Sequence, residues 1–205
     1  MMVKAVESEA VPEPAAPLKG AALRVFEAAR DLFYQRGIRA VGVDEIVCEA
    51  GVTKPSLYRS FASKDDLIIA CLEEFTREGF EKMEAGIAAA GSDPRDRLRA
   101  VIAYKAADMA QPGFRGCAIS NTAVEFPEPG HRGRQAIENC KTKFRERLVE
   151  LTRDTNAREP EALADGLILL IEGAYSTYHV FGSQGPSQSL MRTADALIEC
   201  YRPNG

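Results

Sequence analysis

The sequence predicts an all-α protein of about nine helices, a small three-helix unit at the N-terminus followed by a larger helical one. Three observations carry this. From Leu18 onward apolar residues recur at helical spacing. No stretch alternates apolar and polar residues, and β-branched runs are scarce. Helix-starting and helix-stopping residues punctuate the pattern at regular intervals. The 205 residues, 45% hydrophobic and 27% charged, describe an ordinary soluble globular chain long enough to bury a sizeable core.

Residues 1–17 carry prolines and little periodicity, and read as a flexible arm. The first helix is predicted over 18–36, with Leu23, Phe26 and Phe33 on one face and Gly37 as its stop. A short helix over 43–50 turns Val43, Ile46 and Val47 inward and ends at Gly51. A second short helix fits 54–60, with Thr53 as N-cap and Pro55 in the first turn, where a missing N–H costs little. Ser63 caps a long helix over 64–90, with Asp66 three residues on as a variant capping box. Helices follow at 93–111, at 117–126 (ended by the Pro127, Pro129, Gly130 cluster) and at 132–155, where Ile137, Cys140, Phe144, Leu148 and Leu151 form a stripe. The helix over 160–182 starts at Pro160 and is apolar nearly all round at Leu167–Ile171, which predicts cover on both faces. A Gly/Pro turn leads to the last helix, 187–202.

Composition also excludes. The longest strong apolar run is far short of the roughly 20 residues that span a bilayer, and no signal peptide is visible, so a cytoplasmic protein with no membrane association is expected. The five cysteines are widely spaced with no C-x-x-C pair, and His131 and His179 lack ligand spacing, so no metal and no cofactor are expected. The chain contains neither a phosphate-binding glycine loop nor a G-x-S-x-G elbow, which argues against an enzyme.

Two short helices joined by Ala50-Gly51-Val52 have the form of a helix-turn-helix, whose second helix enters the DNA major groove. Val52 and Leu57 would pack inward, while Thr53, Lys54, Ser56, Tyr58 and Arg59 would face out. From spacing alone an ordinary helical hairpin is equally admissible. The stretch Gly37–Leu67, however, resembles the TetR family of transcriptional regulators at Gly37, Val43, Ile46, Ala50-Gly51-Val52, Leu57-Tyr58, Phe61 and Ser63-Lys64-Asp65-Asp66-Leu67. The match covers about 50 residues, and the helix count beyond it fits the family's ligand-binding and dimerisation domain. Gly116-Cys117, Asn121, Glu125-Phe126-Pro127 and His131 resemble one branch of the family.

The resemblance implies a DNA-binding head over 18–63, a ligand-binding and dimerisation body over 64–205, and a two-fold homodimer placing two recognition helices on a palindromic double-stranded DNA operator. Tyr58 and Lys64 would hold phosphates. Thr53 would meet a phosphate or a base edge, and Lys54, Ser56 and Arg59 would read bases. Three residues depart from the family pattern. Val41 and Gly42 stand where a hydroxyl is common, and Pro55 where a small residue is common.

The net charge of −4 argues against a polyanionic partner until it is divided. Residues 19–64 hold eight cations and five anions, a net +3, while the acidic remainder would orient this basic head toward DNA.

A regulator released by an inducer also needs a cavity, placed in the body and lined by Tyr104, Met109, Phe114, Cys117, Asn121, Phe144, Glu172, Tyr175 and His179. Each of these has a structural alternative. Phe144 could be core, Glu172 half of an ion pair, His179 part of the dimer seam and Cys117 a small buried apolar residue. The position of Cys117 beside Arg115 also admits sensing of oxidants or electrophiles. Gly166, Gly173 and Ala174, small residues of the helix over 160–182, and the stripe Leu190, Ala194, Leu197 and Tyr201 of the last helix are the expected dimer interface, two helices per protomer making a four-helix bundle. The competing class is an adaptor or small-molecule-binding protein without DNA affinity.

Overall fold

The computed structural model describes residues 18–126, 128 and 130–203. The expected arm, 1–17, and the helix-ending Pro127 and Pro129 lie outside the described residues. The described residues form nine α-helices and no strand: α1 (Ala21–Arg36), α2 (Val43–Glu49), α3 (Lys54–Ser60), α4 (Lys64–Ala89), α5 (Pro94–Met109), α6 (Ala118–Glu125), α7 (Arg132–Asp154), α8 (Pro160–Phe181) and α9 (Leu190–Cys200).

Helix starts follow local chemistry. The Ser63 hydroxyl accepts from Asp66 N at 3.1 Å and donates to the Asp66 carboxylate at 2.7 Å. Asp93 accepts from Arg95 N at 2.8 Å, and His131 Nδ1 accepts from Gly133 N at 3.1 Å. His131 is thus an N-cap, stacked on Phe126 with ring centroids 4.4 Å apart. Thr53 holds the N-cap position of α3, but its hydroxyl pairs with Ser56 Oγ and caps nothing. The last helix starts at Leu190 because 182–189 wind into two 3₁₀ turns, Gly182–Gln184 and Pro186–Ser189.

Two apolar cores are strung along α4, whose 26 residues span about 39 Å. The first gathers Val25, Ala29 and Phe33 of α1, Ile46 of α2, Leu57 of α3 and Leu67, Ile68 and Leu72 of α4. Ile119, Phe126 and Ile137 close it from the body side, so the three-helix head shares its core with α6 and α7. Leu23, placed on that face by its spacing, is 38% exposed; Val25 and Ala29 take the position instead. The second core joins Met83 and Ile87 of α4 to Leu98 and Ile102 of α5, Leu148 and Leu151 of α7, Leu163, Leu167 and Ile171 of α8 and Ile198 of α9. One face of α8 stays uncovered in the single chain, with Leu169 73% and Val180 74% exposed.

Candidate DNA-reading surface and regulatory cavity

Helices α2 and α3 meet through Gly51, whose φ of +60° lies in the left-handed region that glycine adopts without a Cβ penalty. Arg24 of α1 braces the turn, its Nε donating to the Ala50 carbonyl at 3.1 Å. Leu57, fully buried, anchors α3, and Val52 packs beside it. The opposite face presents Thr53, Lys54, Tyr58 and Arg59 to solvent, with Ser56 half-buried among them. Their polar atoms bond one another: Arg59 Nη2 donates to Ser56 Oγ at 2.8 Å, Thr53 and Ser56 hydroxyls lie 3.2 Å apart, and Lys54 pairs with Asp44 at 2.7 Å. The Asp44 carboxylate holds the Lys54 ammonium above its usual range. All are weak exposed contacts that a phosphate or base edge can replace.

Lys64 is placed differently from its neighbours. It is half-buried over the Phe33 ring, and its Nζ donates to the Ile38 carbonyl at 2.7 Å. Burial pulls its pKa down. One of its three N–H groups is thus committed to the head, leaving two for an anion. Val41 is fully buried in the first core and Gly42 caps α2 without a side-chain bond, so that corner offers no hydroxyl.

Two of the links that tie this head to the body run through backbone atoms, and neither was signalled by spacing. The Tyr34 hydroxyl of α1 accepts from Arg115 N at 2.8 Å and donates to the Gly116 carbonyl at 3.1 Å. Glu125, at the end of α6, accepts from Ile38 N at 3.0 Å and Arg39 N at 2.7 Å, in the loop between α1 and α2. Gly37, at a φ of +85°, lets this carboxylate approach, since a Cβ there would stand 3.1 Å from Glu125 Oε1.

Residues 115–117 lead directly into a cavity of about 330 Å³ lined by α1, α4, α5, α7, α8 and the start of α6. Of the residues expected to line it, Tyr104, Phe114, Cys117, Phe144, Glu172 and Tyr175 do so. Three do not. Met109 faces the other way, 5% exposed in the second core. Asn121 and His179 line a separate cavity of about 300 Å³ between α1, α4 and α6. Asn121 donates to the Arg115 carbonyl at 2.6 Å, and His179 stacks on Phe114, so both brace the 114–116 segment from behind.

The polar groups of the main cavity are mostly matched. Glu172 takes Lys141 Nζ at 2.5 Å and the Ser120 hydroxyl at 2.9 Å, so it is half of an ion pair on the cavity wall. Lys141 Nζ also lies 3.6 Å from Cys117 Sγ. Arg30 grips Glu78 with two bonds of 2.7 and 2.9 Å. The Tyr175 hydroxyl donates to Asp108 at 2.9 Å, and burial together with that carboxylate pushes its pKa far up. Burial likewise pushes the Tyr104 hydroxyl up to about 12.

Lys105 stands apart. It is half-buried, lines the cavity, and has no hydrogen bond or ion pair among the described residues. Its Nζ lies 4.9 Å from the Tyr104 ring centroid and 5.1 Å from that of Phe144. Burial pulls its pKa below the ordinary lysine value. A lysine with a lowered folded-state pKa destabilises the fold while it is charged, and the cost fades as pH rises through that pKa toward the unfolded value. Lys105→Met is therefore expected to melt above the wild type near neutral pH, with the gap closing at alkaline pH; paired thermal melts across pH check it.

The residues expected at the dimer seam mostly face the protomer's own core. Ala174, Leu190 and Ala194 are buried there, with Leu197 and Tyr201 packed against them. A Cβ on Gly166 would stand 2.9 Å from Leu197 Cδ2, so that glycine serves α8–α9 packing within one chain. Only Gly173 of the set is exposed, on the stripe Leu169, Gly173, Ser176 and Val180. The described residues contain no group of three potential metal ligands, and none of their helices is long and apolar enough to cross a membrane.

A braced helix-turn-helix hydrogen-bonded to a helical body that contains a cavity has the architecture of a DNA-binding regulator. Residues 25–71 match the family model described as bacterial regulatory proteins, tetR family. The transcriptional regulator AcuR of Cereibacter sphaeroides is 28% identical over 167 residues, 78% of this chain and 76% of that protein. The HTH-type transcriptional activator FasR of Mycolicibacterium smegmatis is 30% identical over 148 residues, 70% of this chain and 65% of that protein. The crystal structure of a TetR-family regulator from Streptomyces coelicolor superposes with a TM-score of 0.85 at 29% identity, covering 89% of this chain and 90% of that one. The chain belongs to the TetR family of transcriptional regulators.

Proposed function

We propose that this regulator is a repressor that binds a palindromic operator as a homodimer and leaves it when a small molecule fills the main cavity. On this reading residues 18–63 read the DNA, residues 64–205 bind ligand and dimerise, and the protein works in the cytoplasm. The observation that carries it is the Tyr34 hydroxyl held between Arg115 N and Gly116 O, because the segment that leads to Cys117 in the cavity wall is hydrogen-bonded to the helix that supports α3. A ligand that displaces residues 114–117 shifts Tyr34, and with it α1 and the braced turn at Ala50. A dimer whose two reading helices leave the spacing of about one helical turn loses both major grooves together.

In such a dimer Tyr58 and Lys64 hold phosphates, Thr53 a phosphate or base edge, and Lys54, Ser56 and Arg59 contact bases. The exposed stripe Leu169, Gly173, Ser176 and Val180 supplies the α8 side of the seam. Tyr34→Phe keeps the ring and removes the link, so it is expected to leave operator affinity within about threefold of wild type while weakening release by an inducer about tenfold. Anisotropy of a labelled operator fragment, titrated with inducer, measures both. A variant released as readily as wild type would end this coupling route.

Lys141 beside Cys117 favours a second reading, in which the Cys117 sulfur, as thiolate, adds to an electrophilic carbon of the ligand, its proton ends on the adduct, and the new S–C bond triggers release. Release by electrophiles that persists unchanged in Cys117→Ser would end it.

A further inference from the structure

We propose that the main cavity takes a small organic anion, a carboxylate on an aromatic or short aliphatic body, whose charged end pairs with Lys105. This rests on the reading of the cavity as the inducer site and names the chemistry of that ligand.

The argument is one of charge matching. A cation partly withdrawn from water needs a counter-charge, since the desolvation it suffers is offset only by a well-placed partner. The other charged groups deep in this cavity have one. Glu172 of α8 holds Lys141 of α7, and Glu78 of α4 holds Arg30 of α1. Asp108, one turn along α5, accepts the Tyr175 hydroxyl and is not within ion-pair distance of Lys105. Lys105 is left with only the faces of Tyr104 and Phe144, which orient its ammonium without neutralising it. A cationic ligand would have to compete for a carboxylate already engaged and would face Lys105 across the same space. A neutral ligand would cut off the water that reaches this ammonium and supply no counter-charge. An anion meets an open position.

Size and lining agree with this class. About 330 Å³ is at the small end of ligand cavities. The rings of Phe80, Phe114 and Phe144 give the hydrocarbon part of the ligand apolar walls around the charged end. The groups that set the charge on Lys105 are Asp108 on its own helix, Lys141 from α7, Glu172 from α8 and Cys117 at the start of α6. Binding an anion favours the protonated ammonium over the neutral amine that burial promotes, so uptake of the ligand is accompanied by uptake of a proton.

The test uses the full-length protein and matched sets of small compounds, each scaffold offered as a carboxylate, its carboxamide and its primary amine. Affinity is read by thermal shift and calorimetry, and release by operator anisotropy. Carboxylates are expected to dominate the binders, to weaken about tenfold or more in Lys105→Met, and to weaken in wild type as pH rises from about 7 to about 9.5. The Lys105→Met protein, whose fold is checked by its melt, is expected to show no such pH trend. Binders spread evenly over the three charge classes, a preference for amines, no binder in any class, or a Lys105→Met protein that binds carboxylates as wild type does would each overturn the proposal. Amides or amines that bind the cavity and release the operator would overturn it while leaving the inducer reading intact. Carboxylates held through Lys105 that leave operator affinity unchanged would support it and end the inducer reading.

Discussion

Replacing Lys54 and Arg59 together by alanine is expected to lower operator affinity by about 100-fold or more with little change in Tm. Both side chains sit on the exposed face of α3, and in the free protein their partners are Asp44 and Ser56, contacts that water replaces readily. Their loss therefore costs the fold little. On the proposed reading the same groups are the long cationic reach of the DNA-reading helix, and each good base contact carries about a ten- to hundredfold discrimination. In the proposed dimer every substitution counts twice. Anisotropy against the selected operator and a paired thermal melt separate the two effects. Equal loss of Tm and affinity would mean that the helix had been disrupted and its contacts left untested.

Removing the Glu125 carboxylate is expected to have the largest effect on stability among substitutions outside the apolar cores. It accepts two backbone N–H groups of the α1–α2 loop, one of them half-buried. Hydrogen bonds to a charged acceptor are worth more than neutral ones, and an amide left without a partner is costly where water cannot reach it. Glu125→Ala should cost about 2 kcal/mol, which for a chain of this length lowers Tm by about 4–8 °C. Glu125→Gln keeps one carbonyl acceptor and should fall between the two. Amide exchange should rise first at Ile38 and Arg39, since the backbone of that loop loses the carboxylate that accepts both of these N–H groups.

The elements that the sequence made legible are those governed by local rules. Helical periodicity, Ser63 before Asp66, the proline opening α8 and the glycine turn at Gly51 each act within a few residues, and they placed all nine helices to within about three residues at each end. The outward set on α3 was legible for the same reason, since one buried leucine fixes which way a seven-residue helix faces. What depended on partners far along the chain was not. Leu23 and Met109 have helical spacing as good as that of their neighbours, and only the packing of other helices decides which side of the stripe is covered. Spacing on α9 identified an apolar face correctly but could not say whether it meets α8 of its own chain or of another. Lys105 and Lys141 have the spacing of ordinary surface charges, because nothing within a turn of either marks it as facing a cavity. Tyr34 and Glu125 act on backbone atoms more than 80 residues away, and such bonds leave no trace in side-chain spacing.

The central claim, a DNA-reading head governed by a ligand cavity, is tested most directly by selecting genomic fragments on the purified protein and titrating the winners with salt. The account predicts fragments sharing a two-fold symmetric element with half-site centres about 34–36 Å apart, and affinity falling steeply as salt rises. A folded protein that enriches no sequence over random DNA would contradict it.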